Sequence, residues 1–365
     1  LKALSQMTTI NTEVLEHRLI GNWQPTLDQF EQLISPNTDM TNSAQPYPFY
    51  LASPLDKELS EMIDSFDDWI IESKWDGIRA QLIKRGPTIA LWSRGNELIS
   101  DSFPEIIHKA QQIPDGVYDG ELLAWDNNQP LPFNSLQKRL QRKKVSDKML
   151  ASIPCTLVLY DLLEIESNDI RTYSLEQRKK ELEARNNRFP LSESLSFNSI
   201  ADLETYISRA RELNIEGVIL KHKTSHYHVG RVRGGWWKCK IDPLRIDLVV
   251  IYAQKGRGIR SGLFTDYTFA AWDGERLVPV TKAYSGLSNK EMKEVDRILK
   301  KHLKEKFGPV RAVEPTIVME IACEGIQESS RHKSGIAFRF PRISRLRLDK
   351  PIEEANTLDD IKKMI

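Results

Sequence analysis

From Trp69 onward the apolar residues come in short alternating runs, joined by links too short for crossover helices. Arg79-Ala80-Gln81-Leu82-Ile83 alternates, a Gly86-Pro87 turn follows, and Thr88-Ile89-Ala90-Leu91-Trp92 comes next. Val117 to Leu122 and Thr156 to Tyr160 read as buried strands. Helices are predicted near 104–112, 134–149, 174–185 and 200–213. This mixture predicts an α+β fold with antiparallel sheets. The longest purely apolar run is Leu248 to Ala253, far short of the roughly 20 residues a membrane span requires.

The ends differ in texture. Residues 1–34 read as helical with a stop at Gly21, residues 35–54 as a linker rich in Pro and Ser, and 55–66 as a further helix. A second change comes at Ile241-Asp242-Pro243. Beyond it, Leu248 to Ala253 is a predicted strand. Thr268 to Trp272 and Arg276 to Val280 flank an Asp273-Gly274 hairpin turn, Ser288 to Glu291 is a capping box that opens an amphipathic helix to about Phe307, and Thr316 to Ile321 is another strand. Several strands and one helix in this span predict a small five-stranded barrel of the oligonucleotide-binding (OB) type. Domains are therefore expected at 1–45, 46–241 and 242–365.

Three separated cysteines, Cys155, Cys239 and Cys323, support neither a disulfide framework nor a zinc ribbon. The N-terminus lacks a signal-peptide pattern, so a cytoplasmic location is expected. Leu1 stands where an initiator Met would, as in a trimmed or partial chain.

The net charge is only +1, but the charge is segregated. Residues 54–72 hold seven acids against one Lys, whereas 231–260 hold eight basic residues against two acids. Residues 137–148 and 331–350 are also basic. Such segregation suits a polyanionic partner, although 137–148 alone would serve equally as a solvated helix face.

Lys74-Trp75-Asp76-Gly77-Ile78-Arg79 places a lysine on a tight turn at the end of an apolar strand. Lysine is a nucleophile once deprotonated, and neighbouring cations promote that. Alone the pattern is weak. It is followed by Ser93-Arg94-Gly95-Asn96, Asp119-Gly120-Glu121, Tyr160-Asp161, Glu216 to Lys221, Trp236-Trp237-Lys238-Cys239-Lys240 and Arg347-Leu348-Asp349-Lys350. In order and spacing this set resembles the motifs of ATP-dependent DNA ligases and their nucleotidyltransferase relatives. Phe338 to Arg342, Asp247 to Ile251 and Lys255-Gly256-Arg257-Gly258 resemble DNA ligases in particular. His17 to Pro25 resembles the end of the helical DNA-binding domain of longer bacterial ligases, which makes 1–45 a remnant of that domain, 46–241 an adenylation domain and 242–365 the OB-fold domain.

The resemblance implies a role for each matched residue. Lys74 would attack the α-phosphate of ATP and carry AMP. Lys238 and Lys240 alternate on a strand, so both would face that phosphate and ease deprotonation of Lys74. Glu121 and Glu216 would serve the metal, Mg²⁺ or Mn²⁺, with Glu121 also near the ribose. Arg79 and Arg94 would touch ribose and phosphate, Tyr160 would stack on adenine, Glu72 would read its amino group, and Trp236 would line the pocket. Either Arg231 or Arg233 would supply a further contact. Arg347, Asp349 and Lys350 would orient the pyrophosphate. The implied substrate is nicked duplex DNA, sealed by a monomer in replication, repair or recombination near the nucleoid.

An RNA ligase or a capping guanylyltransferase shares the Lys-x-Asp-Gly signature, and a non-catalytic binding module is a rival of another class. Phe338 to Arg342 speaks against the first two, and the retained Lys74, Glu121, Glu216, Lys238, Lys240 and Lys350 against the third. Asp273-Gly274-Glu275 reads as a structural turn. His222, His226 and His228 read as loop residues rather than metal ligands.

Overall fold

The computed structural model describes residues 1–19, 24–35, 44–140, 142 and 144–365. The chain divides into two compact units, Leu1–Ile241 and Asp242–Ile365.

The first unit opens with three short helices, Lys2–Thr8, Thr12–Arg18 and Leu27–Ile34. The predicted stop at Gly21 lies outside the described residues. Two sheets follow. One has four strands in the order Ser53–Pro54, Trp236–Lys240, Ile215–His222 and Trp69–Trp75. The other has six, built around Thr88–Ser93, Ile78–Arg85, Gly116–Asp126 and Cys155–Ile165. Among the named strands, pairing is antiparallel except where Ser53 and Pro54 run parallel to Trp237 and Lys238. The chain passes from the first sheet to the second through Asp76-Gly77, after Trp75, the residue that follows Lys74. Gly77 is required there, because a Cβ would lie 2.5 Å from the Leu122 carbonyl oxygen.

The alternation of the Trp69–Trp75 strand decides what each face meets. Ile70 points between the sheets, into a core with Ile83, Val117, Leu163, Tyr50 and Trp236. Ile71 points outward with Val218 and Leu220, under Leu203 and Ile207 of helix Ile200–Ser208. The far face of the six-stranded sheet is covered by helices Pro104–Ala110 and Phe133–Leu140. The helix expected over 134–149 is two helices, Phe133–Leu140 and Asp147–Ser152, the second with its own Ser146 cap. Expected helices at 55–66 and 200–213 shorten to Leu59–Met62 and Ile200–Ser208. Helix Leu175–Arg185 starts at a Ser174/Gln177 capping box and is tied down by Arg178, which donates to both oxygens of Asp161 at 2.8 and 2.9 Å.

The second unit curls one antiparallel sheet around its own core. Strand Leu244–Lys255 is the spine. One edge pairs with Phe264–Asp273, and the other pairs first with Val318–Cys323 and then with Val310–Val313. Register shifts at Val250/Tyr252 and Gln254/Lys255 bend it. The sheet holds seven strands rather than the five expected, and Gly325–Glu328 with Ile336–Arg339 adds a separate hairpin. The extra strands are short, polar edge segments such as Leu303–Phe307, which carry no apolar alternation to announce them. Asp273-Gly274 makes the expected hairpin turn, with Asp273 opposite Arg276 and Gly274 at φ 61°. The Ser288/Glu291 capping box opens helix Asn289–Lys301, which ends short of the expected Phe307 because Leu303–Phe307 pairs as a strand, and the strand expected at 316–321 runs Val318–Cys323.

Arg178 and Asp161 are both fully buried, so removing one leaves the other uncompensated. Arg178→Met is expected to lose about 3–5 kcal/mol of stability in urea unfolding. Adding Asp161→Leu to it should cost less than the two single changes summed, because the partners are coupled.

Candidate functional site

The inter-sheet face of the first unit collects the charged residues. Lys74 is ion-paired with Glu216, which also takes Lys240 Nζ at 3.0 Å. Register explains this: Lys74 lies opposite Gly217, which itself lies opposite Lys240. Gly217 has φ 133°, and a Cβ there would lie 2.1 Å from the Cys239 carbonyl oxygen, so only glycine lets Glu216 sit this close to both lysines. Burial would push the Glu216 carboxyl up, but Lys74 and Lys240 hold it below the usual carboxylate range.

Lys238 is held below the usual lysine value, first by burial and then by Arg231, Lys240, Lys74 and Arg94. Those five cations therefore share one neighbourhood. Of the two arginines left open by the sequence, Arg231 is the one near Lys238. Arg233 turns away to pair with Asp56 and lies over the Trp237 ring.

Glu121 faces the same cluster from the six-stranded sheet. Burial pushes its carboxyl up to about 8, with Lys74 and Arg79 pulling it down and Glu216 and Asp119 pushing it further up. Among the described residues, no hydrogen bond or ion pair reaches it.

Arg79 is locked in place. Its guanidinium donates to Asp119 at 3.2 and 2.7 Å and to the Tyr227 hydroxyl at 3.1 Å, and it lies over the rings of Phe49, Tyr160 and Trp236. Asp119 also accepts from the hydroxyls of Tyr227 at 2.6 Å and Tyr160 at 3.3 Å. Arg94 is exposed, and its backbone N–H donates to the Arg79 carbonyl at 2.9 Å.

Glu72 lies two residues before Lys74 on the same face. It is buried and ion-paired with Lys221 at 2.8 Å and with Lys179 of helix Leu175–Arg185. Burial would raise its carboxyl, but Lys221 and Lys179 hold it below the usual range. The Lys221 ammonium lies 4.3 Å from the centre of the Tyr160 ring and 4.6 Å from that of Trp236.

Glu72, Lys74, Arg79, Arg94, Glu121, Tyr160, Glu216, Trp236, Lys238 and Lys240 thus belong to one unit and to linked side-chain networks. Arg347, Asp349 and Lys350 belong to the second unit. There Arg347 and Lys350 share the Asp247 carboxylate at 3.0 and 2.8 Å, and Arg347 also pairs with Asp349. Sequence reasoning passed over Asp119, Lys179, Lys221 and Tyr227. Asp119 and Lys221 stood inside quoted motifs. Lys179 carries no local signal, because a lysine on a helix reads as solvated. Of the three histidines expected in a loop, His222 instead ends the strand Ile215–His222, and His228 packs against the Tyr50 ring at 5.2 Å; among the described residues no group of three His, Cys, Asp or Glu could hold an ion.

Two family models match the chain. One describes an ATP-dependent DNA ligase domain and matches residues 49–240, and the other describes the C-terminal region of such ligases and matches residues 260–350. A probable DNA ligase of Koribacter versatilis is 37% identical over 86% of this chain and 59% of its own length. A probable DNA ligase of Opitutus terrae is 36% identical over 80% of this chain and 32% of its own length. A DNA ligase of Thermococcus fumicolans is 33% identical over 80% and 54%. The chain therefore spans between about a third and three fifths of these relatives. Among solved structures, Pmar-Lig superposes with a TM-score of 0.61 at 20% identity, covering 82% of this chain and 68% of that one. A Lig E DNA ligase superposes with a TM-score of 0.57 at 19% identity, covering 82% and 99%. These likenesses bear on fold alone.

An unfolded glutamate ionises near about 4.3. Folding therefore binds a proton at Glu121 between that value and about 8, and the stability it confers is lost as pH rises through that window. Thermal unfolding across the window should show the wild type losing stability relative to Glu121→Gln. Parallel curves would show that Glu121 is already ionised at the acid end.

Proposed function

The chain belongs to the ATP-dependent DNA ligase family, and from that premise we propose that it charges Lys74 with AMP and uses the adenylate to seal nicks in duplex DNA. One observation carries this reading. Lys74 lies just before the crossing between two sheets, paired with Glu216 and beside Glu121, and with Lys240, Arg231 and Arg94 it acts on Lys238. Such a cleft neutralises a polyphosphate and presents one amine to it.

In the first step Lys74 leaves Glu216, gives up a proton, and its Nζ bonds to the α-phosphorus of ATP as the bond to pyrophosphate breaks. In the second, an oxygen of a DNA 5′-phosphate attacks the adenylate phosphorus and the P–N bond to Lys74 breaks. In the third, the neighbouring 3′-hydroxyl loses its proton, attacks the 5′-phosphorus and displaces AMP. Lys238 and Lys240 stay opposite the phosphate throughout. Tyr160, Trp236, Arg79 and Glu72 would form the nucleoside side of the pocket, and Arg347, Asp349 and Lys350 would serve the pyrophosphate.

A divalent ion fits the carboxylates present. Glu121 is left without a partner among the described residues and Glu216 lies in the same field, while no three-ligand protein cluster exists there. Mg²⁺ commonly takes one or two carboxylates and completes its shell with phosphate oxygens and water. Mg²⁺ or Mn²⁺ held by Glu121 and Glu216 would neutralise phosphate charge.

For DNA, the exposed basic residues of 137–148, 231–260 and 331–345 would follow the phosphate backbone without reading bases. Phe340 stands out among them. It is 61% exposed, adopts φ 48°, and lies beneath the Arg339 guanidinium. A strained, exposed aromatic between arginines suits contact with a groove or with an exposed base.

Incubation with α-labelled ATP and a divalent ion should leave label on denatured wild-type protein and none on Lys74→Ala. Label from GTP would move the reading to a capping enzyme. No label from either, after stripping bound AMP with pyrophosphate, would remove the enzymatic reading. Phe340→Ala should keep self-labelling and weaken binding to nicked duplex, read by gel shift. Equal binding would take Phe340 out of the DNA surface.

A further inference from the structure

Glu72 carries one more cation than its charge requires. Lys221 alone would neutralise it, at 2.8 Å and with both side chains 2% exposed. Burying a second ammonium costs solvation that one carboxylate cannot return twice. Yet Lys179 is buried too, on a helix fixed by the Arg178–Asp161 pair, and its Nζ also donates to the Ser192 carbonyl at 3.2 Å. The two lysines take different oxygens: Lys179 meets Oε1 and Lys221 meets Oε2. A carboxylate has about four acceptor positions, so two remain for a ligand.

We propose that Lys179 is a positioning residue for base selection, holding Glu72 as an ionised, acceptor-only group that takes a purine 6-amine and rejects a purine 6-oxo group. This rests on the reading above that Glu72 faces the base. An ionised carboxylate accepts from the amino group of adenine and repels the carbonyl oxygen of guanine. A protonated carboxyl would donate to that oxygen and lose the distinction. Lys221 is not committed to Glu72 alone. Its ammonium is shared with the rings of Tyr160 and Trp236, and burial draws it below the usual lysine value. Lys179 approaches from a different element and supplies the remaining field.

The test measures AMP and GMP affinity by calorimetry on the full chain, freed of nucleotide with pyrophosphate. Lys179→Met should lower the AMP-to-GMP affinity ratio by about tenfold or more, the worth of one hydrogen bond to a charged group. Lys179→Arg should restore it, since it keeps the charge. A loss of fold would lower both affinities together, so the ratio separates selection from stability. Glu72→Gln, which keeps Lys179 but places a donor and an acceptor at the same point, should also collapse the ratio. An unchanged ratio in folded Lys179→Met or in Glu72→Gln overturns the proposal. Labelling of the wild type by ATP is scored separately. Label with an unchanged ratio defeats the selection role alone, whereas no label with a collapsing ratio defeats the lysyl-AMP reading and leaves selection standing.

Discussion

Everything in the first unit depends on the close crossing at Asp76-Gly77. The strand that carries Lys74 and ends at Trp75 belongs to one sheet, and the strand that starts at Ile78 belongs to the other. The turn between them presses so near the Gly116–Asp126 strand that no Cβ fits at Gly77. A side chain placed just before such a crossing is held by both sheets and still opens onto the gap between them. Glu121 sits beside that turn, and Glu216 beside an equally tight glycine on the neighbouring strand. Two close backbone approaches thus set the distance between an amine and two carboxylates, and the flexible side chains need only small adjustments.

The same strand carries a carboxylate and an amine two residues apart, and each is answered by the opposite charge. Glu72 meets two lysines, and Lys74 meets a carboxylate shared with another lysine. The two networks differ in depth. Glu72 and Lys221 are almost without solvent, whereas Lys74 and Glu216 are 20% and 18% exposed. The deep network suits recognition, because a buried charge that cannot rearrange discriminates strongly. In the proposed chemistry the shallower ion pair is the one that opens for an incoming phosphate.

Much of this was legible in the chain itself. The short alternating runs announced the antiparallel sheets, Asp273-Gly274 its hairpin, and the Ser288 capping box its helix. The motif lysines and glutamates were legible because they interrupt apolar strands, where a charge needs a reason. What escaped had a physical cause in each instance. Lys179 is polar on a polar helix, and only tertiary packing buries it. Asp119 looked secondary to Glu121 until the structure set Arg79, Tyr160 and Tyr227 on its oxygens. That Arg231 rather than Arg233 lies near Lys238 follows from a loop conformation no pattern encodes. The edge strand Leu303–Phe307 reads in the sequence as the last turn of the Ser288 helix, because its polar residues carry no alternation to set it apart.

The two units solve the same electrostatic problem alike. A cluster of cations meant for phosphate would repel itself while waiting, and its members would scatter into solvent. In the first unit Glu216 holds Lys74 and Lys240 together. In the second, Asp247 holds Arg347 and Lys350 together, with Asp349 on the far side of the guanidinium. On the proposed reading, each carboxylate stands in for a phosphate. In the proposed chemistry an arriving phosphate exchanges one anion for another, so the cations need not be gathered or stripped of water at that moment. Such preorganisation is where electrostatic catalysis draws most of its advantage, and on the proposed reading it accounts for carboxylates set among cations that meet a polyanion.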